Sequence, residues 1–155
     1  MKALIVEDVR TIQTGKVLVL TSLGVTVTTV NDGAGAVDLH HNGRHFDIIF
    51  MDDRMPGMNG LQATAKLRKM GVDCTIVGLS SADETPKHIR KFMEAGLDYH
   101  LLKPMSNATV RPILQEVGRA SASGDGASGA SGVSGASASG DGASGSNASG
   151  GGGAN

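Results

Sequence analysis

The sequence predicts an α/β fold in which a doubly wound, five-stranded parallel sheet carries helices on both faces. Short apolar runs alternate with helical patterns five times over residues 1–118. The run from Ile48 to Met51 is apolar at every position, which is typical of a central parallel strand covered on both faces. Each predicted helix is also followed by a glycine, which favours a left-handed helix C-cap. These three patterns predict five strand–helix units.

The first two units precede residue 43. Ala3 to Val6 is a short apolar run and predicts the first strand. Residues 10–23 place apolar side chains at helical spacing and predict the first helix. Val25 to Val30 alternates valine with threonine, as a strand nearer the sheet edge would. Residues 34–42 predict the second helix.

The central strand opens the next two units. Ile48 to Met51 delivers Asp52 to the strand tip, where a proline- and glycine-rich loop leads to a helix over residues 59–70. Residues 75–79 predict the fourth strand. The pair Thr85-Pro86 predicts an N-cap followed by proline at the first helical position, and this fourth helix is expected to end at Ala95.

The last unit contains one discordant residue. Residues 99–102 predict the fifth strand, and a final helix is expected to end near Val117. Pro112 lies inside that helical pattern and has no backbone N–H, so we expect the helix to start late or to kink. With right-handed crossovers, the five units predict the flavodoxin-like strand order 2-1-3-4-5.

Composition divides the chain near residue 118. From Ser121 onward the chain is almost wholly glycine, serine and alanine, with Val133 as its single large apolar side chain. Such a segment cannot bury enough apolar surface to offset its conformational entropy. We therefore predict a domain over residues 1–118 and a disordered tail over residues 119–155, with neither a helix-turn-helix pattern nor a second core after Gly118.

Charge and cysteine content exclude several classes of function. The formal net charge is −1 and there is no lysine- or arginine-rich run, which does not favour binding to nucleic acid or to an anionic membrane. Cys74 is the single cysteine and predicts a buried, inert thiol. No stretch has the length of a signal sequence core or a membrane span. We expect a soluble monomer in the cytoplasm, with the nucleus left open as a second compartment.

Polar side chains follow four of the five predicted strands. Glu7 and Asp8 follow the first strand, Asp52 the third, Ser80 the fourth and Lys103 the fifth. Because parallel strands place their carboxyl ends at one edge of the sheet, we expect these five residues to form one site.

The acidic residues of this site predict a magnesium ion. Carboxylates held close together raise one another's pKa, and a hard divalent cation relieves that repulsion through oxygen ligands. Asp8 and Asp52 are expected to bind Mg²⁺ directly. Glu7 is expected to act through water or hydrogen bonds, and the backbone carbonyl of Arg54 to supply a further ligand.

The same residues predict phosphoryl transfer. Asp52 is expected to be the nucleophile that accepts a phosphoryl group on its carboxylate. Lys103 and the Ser80 hydroxyl are expected to hold the phosphoryl oxygens, since phosphoryl transfer depends on electrostatic stabilisation and positioning.

Structural alternatives exist for each of these residues. Glu7 and Asp8 could instead stabilise the start of a helix through its dipole. Ser80 competes with Ser81, whose spacing to Glu84 resembles a capping box. Lys103 could be a solvated surface lysine. A shared site is favoured because these alternatives would all have to hold at once.

Four segments at the predicted sheet edge carry a family signature: Ile5-Val6-Glu7-Asp8, Met51-Asp52-Asp53-Arg54-Met55-Pro56 with Gly60, Val77-Gly78-Leu79-Ser80-Ser81 and Leu101-Leu102-Lys103-Pro104. Together they resemble the two-component response-regulator receiver domain over residues 1–118. The chain from Leu39-His40 through Lys66-Leu67-Arg68 to the segment 92–98 is further similar to the stand-alone, type-C-like response regulators of plants.

The resemblance assigns roles to these residues. It implies that Asp52 is the phosphoacceptor, Glu7 and Asp8 the acidic pair at the Mg²⁺ site, and Ser80 the switch hydroxyl. It also implies that Lys103 is the conserved lysine of the family, followed by a cis bond to proline. A receiver of this kind catalyses only its own phosphorylation and dephosphorylation.

One position departs from the family pattern. The tyrosine or phenylalanine that the family places three residues before the lysine is replaced here by His100. Tyr99 is shifted by one residue and is expected to face the other side of the strand. We therefore interpret His100 as a titratable switch residue, with a solvent-facing strand histidine as the alternative.

The resemblance also implies a partner, which is a histidine phosphotransfer protein or a histidine kinase. We expect it to dock beside the first helix, where Thr11, Gln13 and Thr14 are expected to be exposed. The alternatives are an aspartate-nucleophile phosphohydrolase, a flavin carrier, and a receiver-like binding module without phosphorylation. The phosphohydrolase would need a second aspartate where Arg54 stands, and Glu7-Asp8 would repel the phosphate of a flavin.

Overall fold

The computed structural model describes residues 1–122, in which strands and helices alternate strictly. Their bounds, in chain order, are β1 (Lys2–Val6), α1 (Arg10–Ser22), β2 (Thr26–Val30), α2 (Gly33–His41), β3 (Ile48–Asp52), α3 (Gly60–Lys69), β4 (Thr75–Ser80), α4 (Pro86–Glu94), β5 (Tyr99–Leu102) and α5 (Asn107–Ala122). Met1–Ile113 form one compact unit, and the rest of α5 falls in a second unit.

All strand pairs are parallel and follow the order β2-β1-β3-β4-β5. The predicted fold class and strand order are therefore confirmed. The register aligns Ile5 with Phe50 and Phe50 with Val77 across the three central strands. Because every strand runs in the same direction, the residues that follow the strands meet at one edge of the sheet.

The apolar run of β3 is fully buried, as expected for the middle strand. Ile49 and Met51 belong to a core that also contains Leu67 of α3 and Phe92 of α4. Ile48 and Phe50, which point to the opposite face, are buried as well, and this agrees with cover on both faces.

Helix boundaries follow the local signals closely. Thr85 is the N-cap of α4 and its hydroxyl accepts a hydrogen bond from the backbone N–H of His88 at 3.1 Å, with Pro86 at the first helical position. The glycines that follow α1 to α4 all have positive φ, at Gly24, Gly43, Gly71 and Gly96. These four predicted C-terminal glycines are confirmed.

The last helix differs from the prediction at its end. α5 begins at Asn107, so Pro112 lies inside it, and it continues through Gly118 to Ala122. The predicted end near Val117 is wrong because a glycine inside a helix costs only about 1 kcal/mol and does not stop it. The predicted tail over residues 119–155 lies outside the described residues from residue 123 onward and stays a prediction.

Two smaller expectations concern membrane and thiol chemistry. Within residues 1–122, the helices lack the combination of length and hydropathy that a bilayer span requires. Cys74 is a free, half-buried thiol, and burial raises its pKa to about 12. The thiol is therefore protonated at neutral pH, which agrees with the predicted inert thiol, although Cys74 is half-buried and not fully buried.

Candidate functional site

Asp52 ends the middle strand and is almost fully buried, with a relative exposure of 1%. The chain turns sharply behind it, and the backbone N–H of Gly60 donates to the carbonyl of Asp53 at 2.9 Å. A side chain at Gly60 would overlap the backbone carbonyl of Asp52 and approach Asp53 Cα at 3.0 Å. Glycine is required at this position because the backbones of α3 and of the loop after β3 approach so closely.

The three predicted acids meet at this edge. Carboxylate oxygens of Glu7, Asp8 and Asp52 all lie within 4.8 Å of one another. Asp52 Oδ1 is buried and, within the described part of the chain, accepts no hydrogen bond of good geometry. An all-oxygen set of three carboxylates, one of them exposed to solvent at Asp8, fits a hard divalent cation that keeps several water ligands.

Lys103 follows β5 and completes the predicted set at the same edge of the sheet. Its ammonium group forms an ion pair with Asp52 Oδ1, and its backbone N–H donates to the carbonyl of Ser80 at 2.8 Å. The peptide bond between Lys103 and Pro104 is cis, as the receiver resemblance implies. The alternative of a solvated surface lysine is wrong, since this side chain contacts the buried acid directly.

Burial raises the pKa of the Asp52 carboxyl above its ordinary value, and the charge of Glu7 adds to that rise. The ammonium groups of Lys103 and Lys16 oppose it. The carboxylate form that a nucleophile requires is therefore less favoured at Asp52 than in an exposed aspartate. A divalent ion held by the acids would supply the missing positive charge.

A buried lysine that the sequence reading missed also reaches these acids. Lys16 Nζ of α1 lies 2.5 Å from Glu7 Oε1 and 4.0 Å from Asp52 Oδ1. It shares one buried face of α1 with Gln13 and Leu20, whereas Ile12 is 42% exposed. The sequence pattern that could have indicated its burial is the i, i+4 spacing of Lys16 and Leu20, which places both on one face of α1.

Gln13 lies on the helix beside which the partner is expected to dock, but its side chain is not exposed there. Its side-chain amide is buried and donates to the backbone carbonyl of Glu7 at 3.1 Å and to that of Val30 at 3.3 Å. The prediction that Gln13 is exposed is therefore wrong, because the amide satisfies carbonyls at the ends of β1 and β2. Thr11 and Thr14 are exposed as expected.

Ser80 is fully buried and belongs to a hydrogen-bonded chain of side chains. Its hydroxyl lies 3.2 Å from Asp53 Oδ2 and donates to it, and His100 Nε2 lies 2.9 Å from the same hydroxyl. Since Ser80 has one proton and gives it to a carboxylate, the Nε2–H of His100 must be the donor in the second contact. The capping role considered for Ser81 is wrong, because Thr85 caps α4 and the Ser81 hydroxyl donates to Asp83 Oδ1 at 2.5 Å.

His100 is half-buried, so its side chain is not the solvent-facing strand histidine considered as the alternative. Its ring packs edge-on against Phe92 of α4, with the centroids 6.2 Å apart. Burial lowers its pKa below the ordinary value, and His88 adds to the decrease, while Asp53 opposes it. The ring is therefore neutral at pH 7.

Asp53 joins a second cluster that the sequence reading did not identify. Its carboxylate is buried and accepts a hydrogen bond from His88 Nε2 at 2.8 Å. The guanidinium of Arg54 pairs with Glu84 at 2.8 Å on the same side. The predicted contribution of the Arg54 backbone carbonyl to the Mg²⁺ site stays a prediction.

Comparison with known proteins gives consistent results. The response regulator receiver domain family matches residues 3–115. The chain is 39% identical over 118 residues to two-component response regulator 24 of Arabidopsis thaliana, covering 76% of this chain and 84% of that protein. It is 37% identical to response regulator ARR22 of the same plant, covering 64% of this chain and 71% of that protein.

Solved structures show the same similarity. The receiver domain of a sensor histidine kinase from Pseudomonas aeruginosa is 34% identical, with a TM-score of 0.67 and coverage of 76% of this chain and 97% of that domain. That crystal structure is described with a magnesium ion coordinated in the active site cleft. The chemotaxis protein CheY4 of Vibrio cholerae is 27% identical, also with a TM-score of 0.67, over 75% of this chain and 97% of that protein.

Proposed function

The chain belongs to the response regulator receiver domain family, and from this membership and the site geometry we propose that it accepts a phosphoryl group from phosphohistidine onto Asp52. The observation that carries the proposal is the convergence of side chains from the ends of three strands, β1, β3 and β5, on one buried carboxylate. Asp52 lies at the tip of β3, within reach of Glu7, Asp8 and Lys103.

The transfer step follows from these positions. A carboxylate oxygen of Asp52 attacks phosphorus, a phosphorus–oxygen bond forms, and the phosphorus–nitrogen bond of the donor histidine breaks with its electron pair returning to the ring nitrogen. Asp8 and Asp52 would hold Mg²⁺ directly and Glu7 through water or a hydrogen bond, and the ion would supply charge neutralisation at this site. Lys103 then pairs with a phosphoryl oxygen in place of the carboxylate oxygen that it contacts in the structure.

Ser80 supports the readout of this step. Its hydroxyl donates to Asp53 in the structure. To hold a phosphoryl oxygen on Asp52, the hydroxyl has to leave Asp53, and the contact from His100 then has to rearrange. This exchange of partners would connect the acceptor to α4 and β5, which carry the two histidines of the network.

The donor that fits this chemistry is a histidine phosphotransfer protein or the phosphorylated histidine of a kinase. We place its docking surface at the carboxyl edge of the sheet beside α1, where Val9, Thr11, Ile12 and Thr14 are exposed. The chain covers 84% of two-component response regulator 24, and we propose that it acts as a stand-alone regulator as well. A cytoplasmic location is part of the same proposal. It would either drain phosphoryl groups from longer regulators or present its switch surface to a separate target.

The proposal is tested with a small phosphodonor. Purified protein is mixed with Mg²⁺ and acetyl phosphate, and the modified residue is located by mass spectrometry. We expect a single phosphoryl group on Asp52 that is absent from Asp52→Asn and absent after chelation of the metal. Labelling of Asp53 in its place, or labelling that is insensitive to chelation, would contradict the proposed site.

A further inference from the structure

A second group of metal-binding side chains lies beside the phosphoryl site. Ligand atoms of Asp53, Glu84 and His88 all lie within 4.8 Å of one another. His88 Nε2 is 2.8 Å from Asp53 Oδ1 and 2.8 Å from Asp53 Oδ2. We propose that these three side chains bind one divalent transition-metal ion of the zinc class, at a site distinct from the Mg²⁺ site.

The spacing suits such an ion. Zinc binds imidazole nitrogen and carboxylate oxygen at about 2.0–2.2 Å in tetrahedral geometry, which puts neighbouring ligand atoms about 3.4 Å apart. The ligand atoms of this cluster are separated by distances on both sides of that value, from 2.8 Å to no more than 4.8 Å. An ion could therefore bind between His88 and Asp53 if these two side chains move apart and the more distant ligand atoms move closer.

The ligands are held by the fold and open to solvent on one side. The side chains of Asp53 and Glu84 are 3% and 8% exposed, whereas that of His88 is 32% exposed. A cavity of about 350 Å³ opens at the cluster, and its lining residues are Asp53, Arg54, Met55, Asn59, Glu84 and His88. The cavity gives the ion an entry path and leaves room for the water ligand of a site with three protein ligands.

Arg54 supplies positive charge to this cluster in the structure. Its guanidinium contacts Glu84 Oε2 at 2.8 and 3.1 Å, yet its side chain is 71% exposed. Because the Arg54 side chain is mostly exposed, it can move into solvent when an ion replaces its positive charge beside Glu84. Glu84 is then free to bind the metal, and the ion replaces the positive charge of the arginine.

The donor atoms separate this site from the first one. Glu7, Asp8 and Asp52 offer oxygen alone, the set that Mg²⁺ prefers. The second cluster adds an imidazole nitrogen, which favours zinc, nickel, copper and iron over magnesium. An excess of Mg²⁺ should therefore occupy the first site and leave the second one available.

Occupation of the second site would link the loop after β3 to the start of α4. Asp53 follows β3, and Glu84 and His88 flank the start of α4. Asp53 also accepts the hydrogen bond of Ser80, so the ion would compete with that hydroxyl for the carboxylate. The inference does not depend on phosphoryl transfer, since it concerns binding alone.

The test uses Co²⁺, whose visible absorption reports tetrahedral coordination, in the presence of excess Mg²⁺. We expect one Co²⁺ per chain, displaced by Zn²⁺, with the affinity reduced at least about tenfold in both His88→Ala and Glu84→Gln. His41→Ala removes an exposed histidine elsewhere, and Asp8→Asn weakens the Mg²⁺ site, and neither should change Co²⁺ binding.

Three results would overturn the proposal. They are the absence of Co²⁺ binding to the full chain, unchanged affinity in Glu84→Gln, and loss of the Co²⁺ signal in Asp8→Asn, which would place the ion among the first three acids. Circular dichroism and Mg²⁺-dependent phosphorylation check that His88→Ala is folded. If it is not, Glu84→Gln alone decides the outcome.

Discussion

His100 Nε2 lies 2.9 Å from the hydroxyl oxygen of Ser80, and that hydroxyl lies 3.2 Å from Asp53 Oδ2. The position that the receiver family usually gives to an aromatic ring thus holds a hydrogen-bond donor to the Ser80 hydroxyl. Protonation of the ring leaves Nε2–H in place, so its effect comes from the new charge among Ser80, Asp53 and His88.

The burial of the His100 ring predicts that the free energy of unfolding depends on pH. Burial lowers the pKa of His100 in the folded protein, whereas the unfolded chain has an ordinary value of about 6.5. The unfolded state therefore binds more protons as the pH falls below about 6.5, and the free energy of unfolding decreases there. We expect His100→Tyr to reduce this decrease, measured by denaturant unfolding near neutral pH and about 1.5 units lower.

His41→Tyr is the control, because His41 is exposed and its replacement should leave the profile unchanged. The same pair should be compared in phosphorylation-dependent partner binding. Superimposable pH profiles for the wild type and His100→Tyr in both measurements would remove His100 from the switch.

Lys16 predicts a dependence of stability on Mg²⁺. Removing one partner of a buried ion pair costs about 3–5 kcal/mol because the other charge stays buried. We expect Lys16→Met to lower the free energy of unfolding by about that amount in chelator, and by much less with Mg²⁺, since the cation takes over the charge near Glu7 and Asp52. Lys66→Met changes an exposed lysine and serves as the control. An equal loss with and without Mg²⁺ would show that the lysine and the metal do not share the site.

Gly60 predicts a steric requirement behind the acceptor. A methyl group there would overlap the Asp52 carbonyl, so Gly60→Ala should lower the free energy of unfolding by about 1–3 kcal/mol and slow phosphorylation. Gly15→Ala is the matched control, because nothing lies within 4 Å of its added carbon. That change should stabilise α1 by up to about 1 kcal/mol. If Gly60→Ala is destabilised but is phosphorylated at the wild-type rate, the close packing behind Asp52 is not needed for phosphoryl transfer.

The glycine- and serine-rich end of the chain predicts a neutral truncation. Since α5 continues to Ala122, the cut belongs after that residue. Deleting residues 123–155 removes one large apolar side chain, Val133, and should leave both phosphorylation and the melting temperature unchanged. A melting temperature lowered by more than about 4 °C, which corresponds to roughly 1 kcal/mol for this domain size, would show that the segment contacts the domain.

The fold was readable from the sequence because its signals are local. Apolar runs, caps and glycines mark the strands and the first four helices, whereas Gly118 does not end α5. Parallel connection then brings Asp52, Glu7 and Lys103 to one edge. The role of Lys16 was not predicted because helix patterns place apolar residues inside. Here the buried Glu7, which follows β1, pairs with the lysine, and Ile12 is exposed. The pairing of Asp53 with His88, 35 residues apart, likewise depends on how α4 packs against the loop after β3.

The central claim is transfer of a phosphoryl group from phosphohistidine to Asp52. The direct measurement mixes a radiolabelled histidine phosphotransfer protein with this chain, with Asp52→Asn, and with the wild type in chelator. We expect label to leave the donor and appear on the wild-type chain in the presence of Mg²⁺, and to stay on the donor in the other two mixtures. Label that leaves the donor equally fast with Asp52→Asn would contradict the account.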